Sequence, residues 1–138
     1  MPHCLQGSKG ADLHPDLNLP YGCTVISKGF LTEQDNHSGF QGTDLEARLK
    51  EKGTKKIFIA GLSVDTGLKN TALDSMKAGF ETYLLTDAIR VMEQKRGDLK
   101  KMMEELVEKG AKTITLKSLA PPVKIRRQFM AKTRDKNA

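Results

Sequence analysis

The sequence predicts an α/β protein with a parallel, doubly wound, Rossmann-like sheet and crossover helices. A short apolar run at 57–61, and a second one at Tyr83-Leu84-Leu85 in the centre of 81–86, are typical of buried strands, since parallel strands are apolar on both faces. Each run is followed by a helical pattern that ends at a glycine, Gly79 and Gly110. A strand–helix–strand order of this kind is the pattern of a parallel sheet.

The stretch around residues 57–78 is the centre of this prediction. The strand 57–61 leads into a polar turn that contains Ser63 and Gly67, and a helix begins at Leu68. The turn therefore lies at the carboxyl end of a strand, where open α/β sheets bind ligands, and helix-start N–H groups attract negative charge. An ordinary strand–helix connection has the same pattern, so these residues alone leave both interpretations open.

The other elements follow in order along the chain. Residues 1–20 have neither helical nor strand periodicity and are predicted to form an irregular loop, and long loops in compact domains are often functional. The full set of predicted elements is strands at 23–27, 57–61, 81–86 and 113–116, and helices at 44–52, 68–79 and 98–109.

The charge divides the chain into a domain, residues 1–118, and a basic C-terminal tail, residues 119–138. Seven of the 23 Lys and Arg residues but one of the 17 Asp and Glu residues lie at 117–138. Residues 117–138 therefore carry the whole net formal charge of +6, and residues 1–116 have a net charge of zero. A solvated, disordered end is the common origin of such a pattern, and binding to nucleic acid or to an acidic membrane is the less common one, so neither is predicted as a partner.

The sequence predicts neither a membrane-spanning nor a secreted protein. No apolar run approaches the ~20 residues that span a membrane, and the first residues lack the layout of a signal peptide. The two cysteines, Cys4 and Cys23, need not pair, and a reduced, cytoplasmic setting is the default prediction.

Lys28 and His3 are the residues outside the central turn that could carry chemistry. Lys28 follows the predicted strand 23–27, at the sheet edge where a lysine can hold a developing negative charge. An exposed lysine at a strand end has the same sequence pattern. His3 and His14 could ligate a metal, although solvated loop histidines are more common.

Several motifs together resemble nicotinamidases of the isochorismatase-like hydrolase superfamily. They occur in the family's order between residue 2 and about residue 118. The motifs are Pro2-His3-Cys4-Leu5-Gln6-Gly7, Gly10-Ala11-Asp12-Leu13-His14-Pro15, Ser27-Lys28-Gly29, His37-Ser38-Gly39-Phe40, Gly61-Leu62 through Asp65, Thr71-Ala72-Leu73-Asp74, and Asp87-Ala88.

The resemblance implies a specific chemistry. Nicotinamidases hydrolyse nicotinamide to nicotinate and ammonia with a cysteine nucleophile, a lysine, an aspartate that acts as base and acid, and a bound divalent, zinc-like metal. By resemblance, Lys28 is the family lysine, and His3 is one metal ligand of a partial site. The N–H groups of Ser63 and Gly67 form the oxyanion hole, with a cis peptide before Ser63.

Two departures from the family pattern decide the functional prediction. The cysteine position holds Gly67, and the family aspartate has no counterpart in this chain. Isochorismatases also carry glycine there but depend on the same aspartate for protonation. We therefore predict a nicotinamidase-like protein with little or no hydrolase activity, on a small amide such as nicotinamide if on any substrate. The alternatives are an active hydrolase that missing or partner residues complete, and a non-catalytic binding or regulatory protein.

The resemblance also predicts an incomplete sheet. The family strand order is 3-2-1-4-5-6, so two strands between 23–27 and 57–61 have no counterpart here. Strand 57–61 is then expected to expose an edge, which a homo-oligomer or a partner chain would cover.

We expect the tail to be dispensable for folding. Pro121 and Pro122 end the predicted core, and four large apolar residues (Val123, Ile125, Phe129 and Met130) follow them. Deleting residues 121–138 should leave the melting temperature unchanged, as measured by circular dichroism against the full chain. A fall of several degrees would show that the tail packs on the domain.

Overall fold

A computed structural model describes residues 4–29, 37–63, 67–92 and 97–119. It contains a short 3₁₀ turn at Lys9–Ala11, three strands and four α-helices. The elements are α1 (Leu45–Glu51), β1 (Lys56–Ser63), α2 (Gly67–Lys77), β2 (Glu81–Val91), α3 (Asp98–Glu108), β3 (Lys112–Ile114) and α4 (Leu116–Leu119). The strands form one parallel sheet in the order β1-β2-β3. The predicted parallel α/β class is confirmed.

The core lies between one face of the sheet and helices α2 and α3. Ile59 of β1 and Leu84 of β2 face Ala72 of α2 and Leu106 of α3, and all four are buried. Partly buried side chains extend this cluster, among them Leu73, Met76, Leu99, Met102 and Met103. The helical spacing of apolar residues in α2 and α3 thus places their apolar stripes on the sheet, as amphipathic helices do.

A buried polar contact also joins α2 to the sheet. Ser75 and Thr82 are both buried, and their hydroxyl oxygens lie 2.7 Å apart. The Thr82 hydroxyl donates to the carbonyl of Phe80 at 3.1 Å, so the proton between the two hydroxyls comes from Ser75. Both polar groups are therefore satisfied, as buried polar groups must be.

Strand β2 is longer than predicted and contains a bulge. The pairing runs from Lys56 with Glu81 to Ile59 with Leu84, and then resumes with Gly61 opposite Ile89. The strand therefore continues beyond the predicted end at residue 86, because Asp87 and its neighbours form the extra residues of an irregular pairing. Gly61 has φ +126°, a backbone conformation suited to glycine at such a site.

The predicted strand at 23–27 is wrong. Residues 23–29 have no regular secondary structure, and all residues of 4–29 except Ser8 and Ile26 are exposed. Hydrogen bonds in this segment include local ones, such as Ser8 N–H to the Leu5 carbonyl and Cys23 N–H to the Pro20 carbonyl. A strand needs a neighbour for its backbone groups, and in the described sheet residues 23–27 pair with no strand.

Strand β1 forms one edge of the described sheet, as the sequence predicted. It pairs with β2, and the sheet is not closed. Its face away from α2 is uncovered, since Phe58 is 41% exposed, Leu62 is 76% exposed and Ala60 is exposed. Parallel sheets usually have both faces covered, so this face is unusual.

A charged cluster joins the amino ends of the three strands. Glu81 on β2 accepts hydrogen bonds from Lys112 of β3 and, at 2.6 Å, from the Tyr83 hydroxyl, and Lys56 of β1 lies 3.8 Å away. The Tyr83 ring stacks on Phe58 with 4.9 Å between centroids. The bond from Lys112, followed by that from Tyr83, lowers the pKa of Glu81 from 4.5 to about 2.

No helix among the described residues is long and apolar enough to cross a membrane. The tail, beyond residue 119, lies outside the described ranges, so its predicted independence from the fold stays a prediction.

The pKa of Glu81 gives a prediction for acid stability. A carboxyl with a lowered folded pKa stabilises the fold above its unfolded pKa, 4.5, and this contribution is lost as the pH falls towards about 2. Glu81→Gln removes the contribution at every pH. The difference in urea midpoint between the wild type and Glu81→Gln should therefore be largest above pH 4.5 and shrink towards pH 2.

Lys112→Met tests the same contribution from the other partner. Like Glu81→Gln, Lys112→Met should lower the urea midpoint above pH 4.5. The decrease that Lys112→Met causes should be smaller in a Glu81→Gln background than in the wild type. If the difference in urea midpoint between the wild type and Glu81→Gln were the same near pH 2 as above pH 4.5, the ionised Glu81 carboxylate would not be the stabilising group.

Candidate functional site

The centre of the candidate site is the connection from β1 to α2. Strand β1 ends at Ser63 and α2 begins at Gly67, so the two residues flank the turn at the carboxyl edge of the sheet, as predicted. Residues 64–66 lie outside the described ranges. Leu68 and Ala72 are buried and hold the first turns of α2 on the core. The helix start is therefore fixed in place by packing.

One expected feature of this connection is absent. The resemblance implies a cis peptide before Ser63, but no peptide bond among the described residues is cis.

The loop at 37–43 is attached to the first turn of α2 through Thr71. The Thr71 hydroxyl donates to the Gly67 carbonyl at 2.7 Å and accepts the Gly39 N–H at 2.9 Å. Thr43 donates from its own hydroxyl to the Gly39 carbonyl at 2.6 Å. The backbone of Gly39 is thus held on both sides, next to the residue that starts α2.

Packing supports the same attachment. Ser38 is fully buried, and its hydroxyl accepts the Phe40 N–H at 3.1 Å. The Phe40 and Phe80 rings lie 6.2 Å apart between centroids. A Cβ at Gly39 would contact Leu45 and Thr71 at 3.6 Å, so the loop already lies close to both helices. The site therefore includes a second backbone segment, 37–43, beside the helix start.

Neither Thr71 nor Ser38 is predicted as a site residue from the sequence. Both belong to motifs that carry the resemblance, His37-Ser38-Gly39-Phe40 and Thr71-Ala72-Leu73-Asp74. Their shared role depends on a hydrogen bond between residues that are 32 positions apart. No local pattern reveals such a contact.

Lys28 does not lie at the end of a strand. It is exposed and belongs to the irregular segment 4–29, because the strand predicted before it does not form. Cys4 and Cys23 are free and exposed in the same segment. The placement of Lys28 at the carboxyl edge was derived from that strand and loses its basis, and its role in the family chemistry remains a proposal.

The described residues do not fit a metal centre. Within 4–29, 37–63, 67–92 and 97–119, no three His, Cys, Asp or Glu side chains converge so as to hold an ion. His14 pairs with Asp16 at 3.8 Å, and both side chains are largely exposed. His3, the predicted ligand, lies outside the described residues. We therefore derive no chemical step through a metal.

Asp87 has a structural role in the bulge of β2. Its carboxylate accepts the backbone N–H of Leu116 at 2.7 Å and, more weakly, that of Lys117 at 3.4 Å. The bond from Leu116 is the main cause of its lowered pKa. Asp87 thus holds the start of α4 against the bulge, because a carboxylate satisfies N–H groups that a helix start leaves unpaired.

A shallow pocket of about 380 Å³ lies elsewhere, between β2, α3 and β3. Its lining contains none of the residues that the sequence predicted for the site, and it consists of Thr86, Ile89, Leu99, Lys100, Met103 and Thr113.

A parallel α/β fold with a strand–turn–helix at its carboxyl edge defines the class of protein, and comparisons with known proteins define the family. The isochorismatase domain matches residues 1–118, so the chain belongs to the isochorismatase family. It is nicotinamidase-like within that family.

Two curated relatives are nicotinamidases. The chain is 33% identical over 123 residues to that of Acinetobacter baylyi and 31% identical over 120 residues to that of Escherichia coli. These matches cover 85% and 83% of this chain, and 57% and 56% of the relatives. The chain thus spans a little over half the length of the relatives it matches.

Solved structures agree on the fold. A pyrazinamidase of Pyrococcus horikoshii in complex with zinc is 37% identical with a TM-score of 0.74, and the match covers 83% of this chain and 62% of that one. PnC1 of L. infantum in complex with nicotinate is 30% identical with a TM-score of 0.73, covering 83% and 59%.

The attachment of Gly39 to Thr71 can be tested with Thr71→Val, which keeps the shape of the side chain and removes the hydroxyl. The Gly39 N–H then loses its acceptor, which should lower the free energy of unfolding by about 1–3 kcal/mol. Hydrogen exchange at the Gly39 amide should become faster.

Thr24→Val is the matched control, because Thr24 is exposed in the segment 4–29. It should change the free energy of unfolding by less than about 0.5 kcal/mol. Equal exchange rates at the Gly39 amide in the wild type and Thr71→Val would show that Thr71 does not hold this loop.

Proposed function

We propose that this chain is a nicotinamidase-like protein that, by itself, hydrolyses nicotinamide slowly or not at all. One observation carries the proposal: the helix start that presents the family nucleophile holds Gly67. The candidate substrate is a small amide such as nicotinamide, a choice supported by the nicotinamidase relatives and by the neighbour that binds nicotinate. The reaction of the relatives would place the chain near NAD salvage.

The roles of the remaining site residues are part of this proposal. The N–H groups of Ser63 and Gly67 would hold a developing oxyanion, and the Lys28 ammonium would add positive charge. Each of these groups stabilises charge that another group has to create, because none is a nucleophile or a carboxylic acid. His3 would retain one ligand of the family metal site, and one histidine rarely holds a divalent ion in water.

Amide hydrolysis needs both a nucleophile and a proton for the leaving ammonia. The cysteines of this chain, Cys4 and Cys23, belong to the exposed segment 4–29 rather than to the helix start. When members of a catalytic unit are removed, what remains comes from binding and the oxyanion hole, and the rate falls by orders of magnitude. A cytoplasmic setting belongs to the same proposal and is supported by the two free thiols.

Ammonia release from nicotinamide tests the proposal. We expect the purified chain, with and without added Zn²⁺, to match buffer, while the A. baylyi nicotinamidase under the same conditions releases ammonia. Circular dichroism and a urea transition establish that the chain is folded in the assay. Metal-dependent ammonia release from the unmodified chain would overturn the proposal and would indicate that another subunit completes the site.

Gly67→Cys separates a missing nucleophile from a missing acid. The new thiol would stand at the helix start, where the positive end of the helix dipole lowers a thiol pKa. The leaving ammonia would still lack its proton donor, so we expect no ammonia release above buffer. Alkylation by iodoacetamide, followed by mass spectrometry, should show that the new thiol is accessible. Turnover by Gly67→Cys would show that the thiol was the sole missing group.

A further inference from the structure

A groove runs along the outer side of helix α3, next to β3. The pocket of about 380 Å³ between β2, α3 and β3 continues into a second hollow of about 360 Å³, because Met103 and Thr113 line both. We call this surface the α3 groove. The residues that α3 contributes to it are Leu99, Lys100, Met103, Glu104, Val107 and Glu108.

Two lines of side chains follow the α3 groove, and in each line the residues are four positions apart and therefore lie on one side of the helix. The apolar line is Leu99, Met103 and Val107. The charged line is Lys100, Glu104 and Glu108. Val107 is 45% exposed, and all three charged residues are exposed. The groove thus presents an apolar line with a positive charge at its start and two negative charges further along.

The α3 groove lies on the side of the sheet away from β1. In the strand order that the resemblance implies, β3 is the last strand, and the strands without a counterpart in this chain lie beyond β1. The residues that line the groove belong to β2, α3 and β3. Its exposure therefore does not depend on those strands.

We propose that a second copy of this chain occupies the α3 groove, with the two α3 helices antiparallel across a twofold axis at Met103. Met103 then faces its own copy, and Leu99 of one copy contacts Val107 of the other, a contact that occurs twice. Both copies contribute the same surface, as a twofold interface requires. The contact covers the exposed part of Val107 with apolar side chains, which is favourable because apolar surface leaves water.

The charged line favours a second copy as the occupant. An antiparallel twofold pair sets the two charged lines side by side in opposite directions, so Lys100 of each copy lies between Glu104 and Glu108 of the other. Opposite charges across a pair of helices determine partner choice and orientation. Lys100 also lies 3.7 Å from Glu104 of its own chain, so positive and negative groups alternate across the interface.

The same charges disfavour the neighbouring registers. An axis one helical turn later, at Val107, would bring Glu104 and Glu108 of the two copies together. An axis one turn earlier, at Leu99, would bring the two Lys100 ammonium groups together. Like charges in such positions are destabilising, so Met103 is the favoured position of the axis.

Charge reversal at Lys100 and Glu108 tests this register. Lys100→Glu places an added carboxylate between two carboxylates of the other copy, and Glu108→Lys places an added ammonium beside Lys100, so each variant alone should be monomeric. In an equimolar mixture, the introduced glutamate meets the introduced lysine, and the unchanged Lys100 meets the unchanged Glu108. The mixture should therefore form the dimer again.

Sedimentation equilibrium measures the outcome at concentrations up to about 1 mM, because an interface built from one helix is small and its dimers are weak. The average mass of the wild type and of the mixture should rise towards twice the chain mass of 15.3 kDa, while each variant alone should keep the chain mass. Lys101→Glu is the matched control, because Lys101 is exposed on α3 outside both lines, and it should dimerise like the wild type. Circular dichroism and urea midpoints equal to those of the wild type establish that the variants fold.

Three results would overturn the proposal. A wild type that stays monomeric up to about 1 mM would exclude a second copy as the occupant. A dimer that Lys100→Glu leaves intact would show that another surface of the chain forms it. A chain without residues 120–138 that dimerises while the full chain does not would assign the groove to the tail.

Discussion

Helix α2 can lie close to the sheet because the residue at the centre of its contact is alanine. Ala72 is fully buried against the pair of strands β1 and β2, with Ile59 and Leu84 in the same cluster. The parallel pairing of β1 with β2 requires a crossover between them, and α2 is that crossover. The position of α2 in turn sets the position of Gly67, and Thr71, one turn later, holds the loop at 37–43. The site is thus a consequence of this packing.

The elements that the sequence predicted correctly are those with strong periodicity and local end signals. Helices α2 and α3 have apolar residues at helical spacing followed by Gly79 and Gly110, both with positive φ, and their bounds agree with the prediction within two residues. The strand at 23–27 failed because strand formation depends on a neighbour, which a local apolar run does not reveal. The extension of β2 to Val91 was missed because a bulge interrupts the apolar pattern with Asp87.

The candidate site also contains residues whose positions follow from local sequence signals and residues whose positions depend on distant contacts. Ser63 and Gly67 lie where the sequence predicts them, because a strand end and a helix start are local features. Lys28 does not, because its predicted position depended on the strand 23–27. Thr71 is identified by the structure alone, since a hydroxyl that links two segments across 32 positions has no local signature. The candidate site and the charged cluster lie at opposite edges of the sheet, because Glu81, Lys112 and Lys56 lie at the amino ends of the strands.

The order of the strands has a consequence for how the chain folds. Each strand pairs with the next one along the sequence, and paired residues such as Lys56 and Glu81, or Tyr83 and Lys112, are fewer than about 30 positions apart. Closing loops of this size costs little entropy, and the cost rises slowly with length. Folding of the segment from β1 to β3 can therefore proceed through successive strand–helix–strand units, each closed over fewer than about 30 positions.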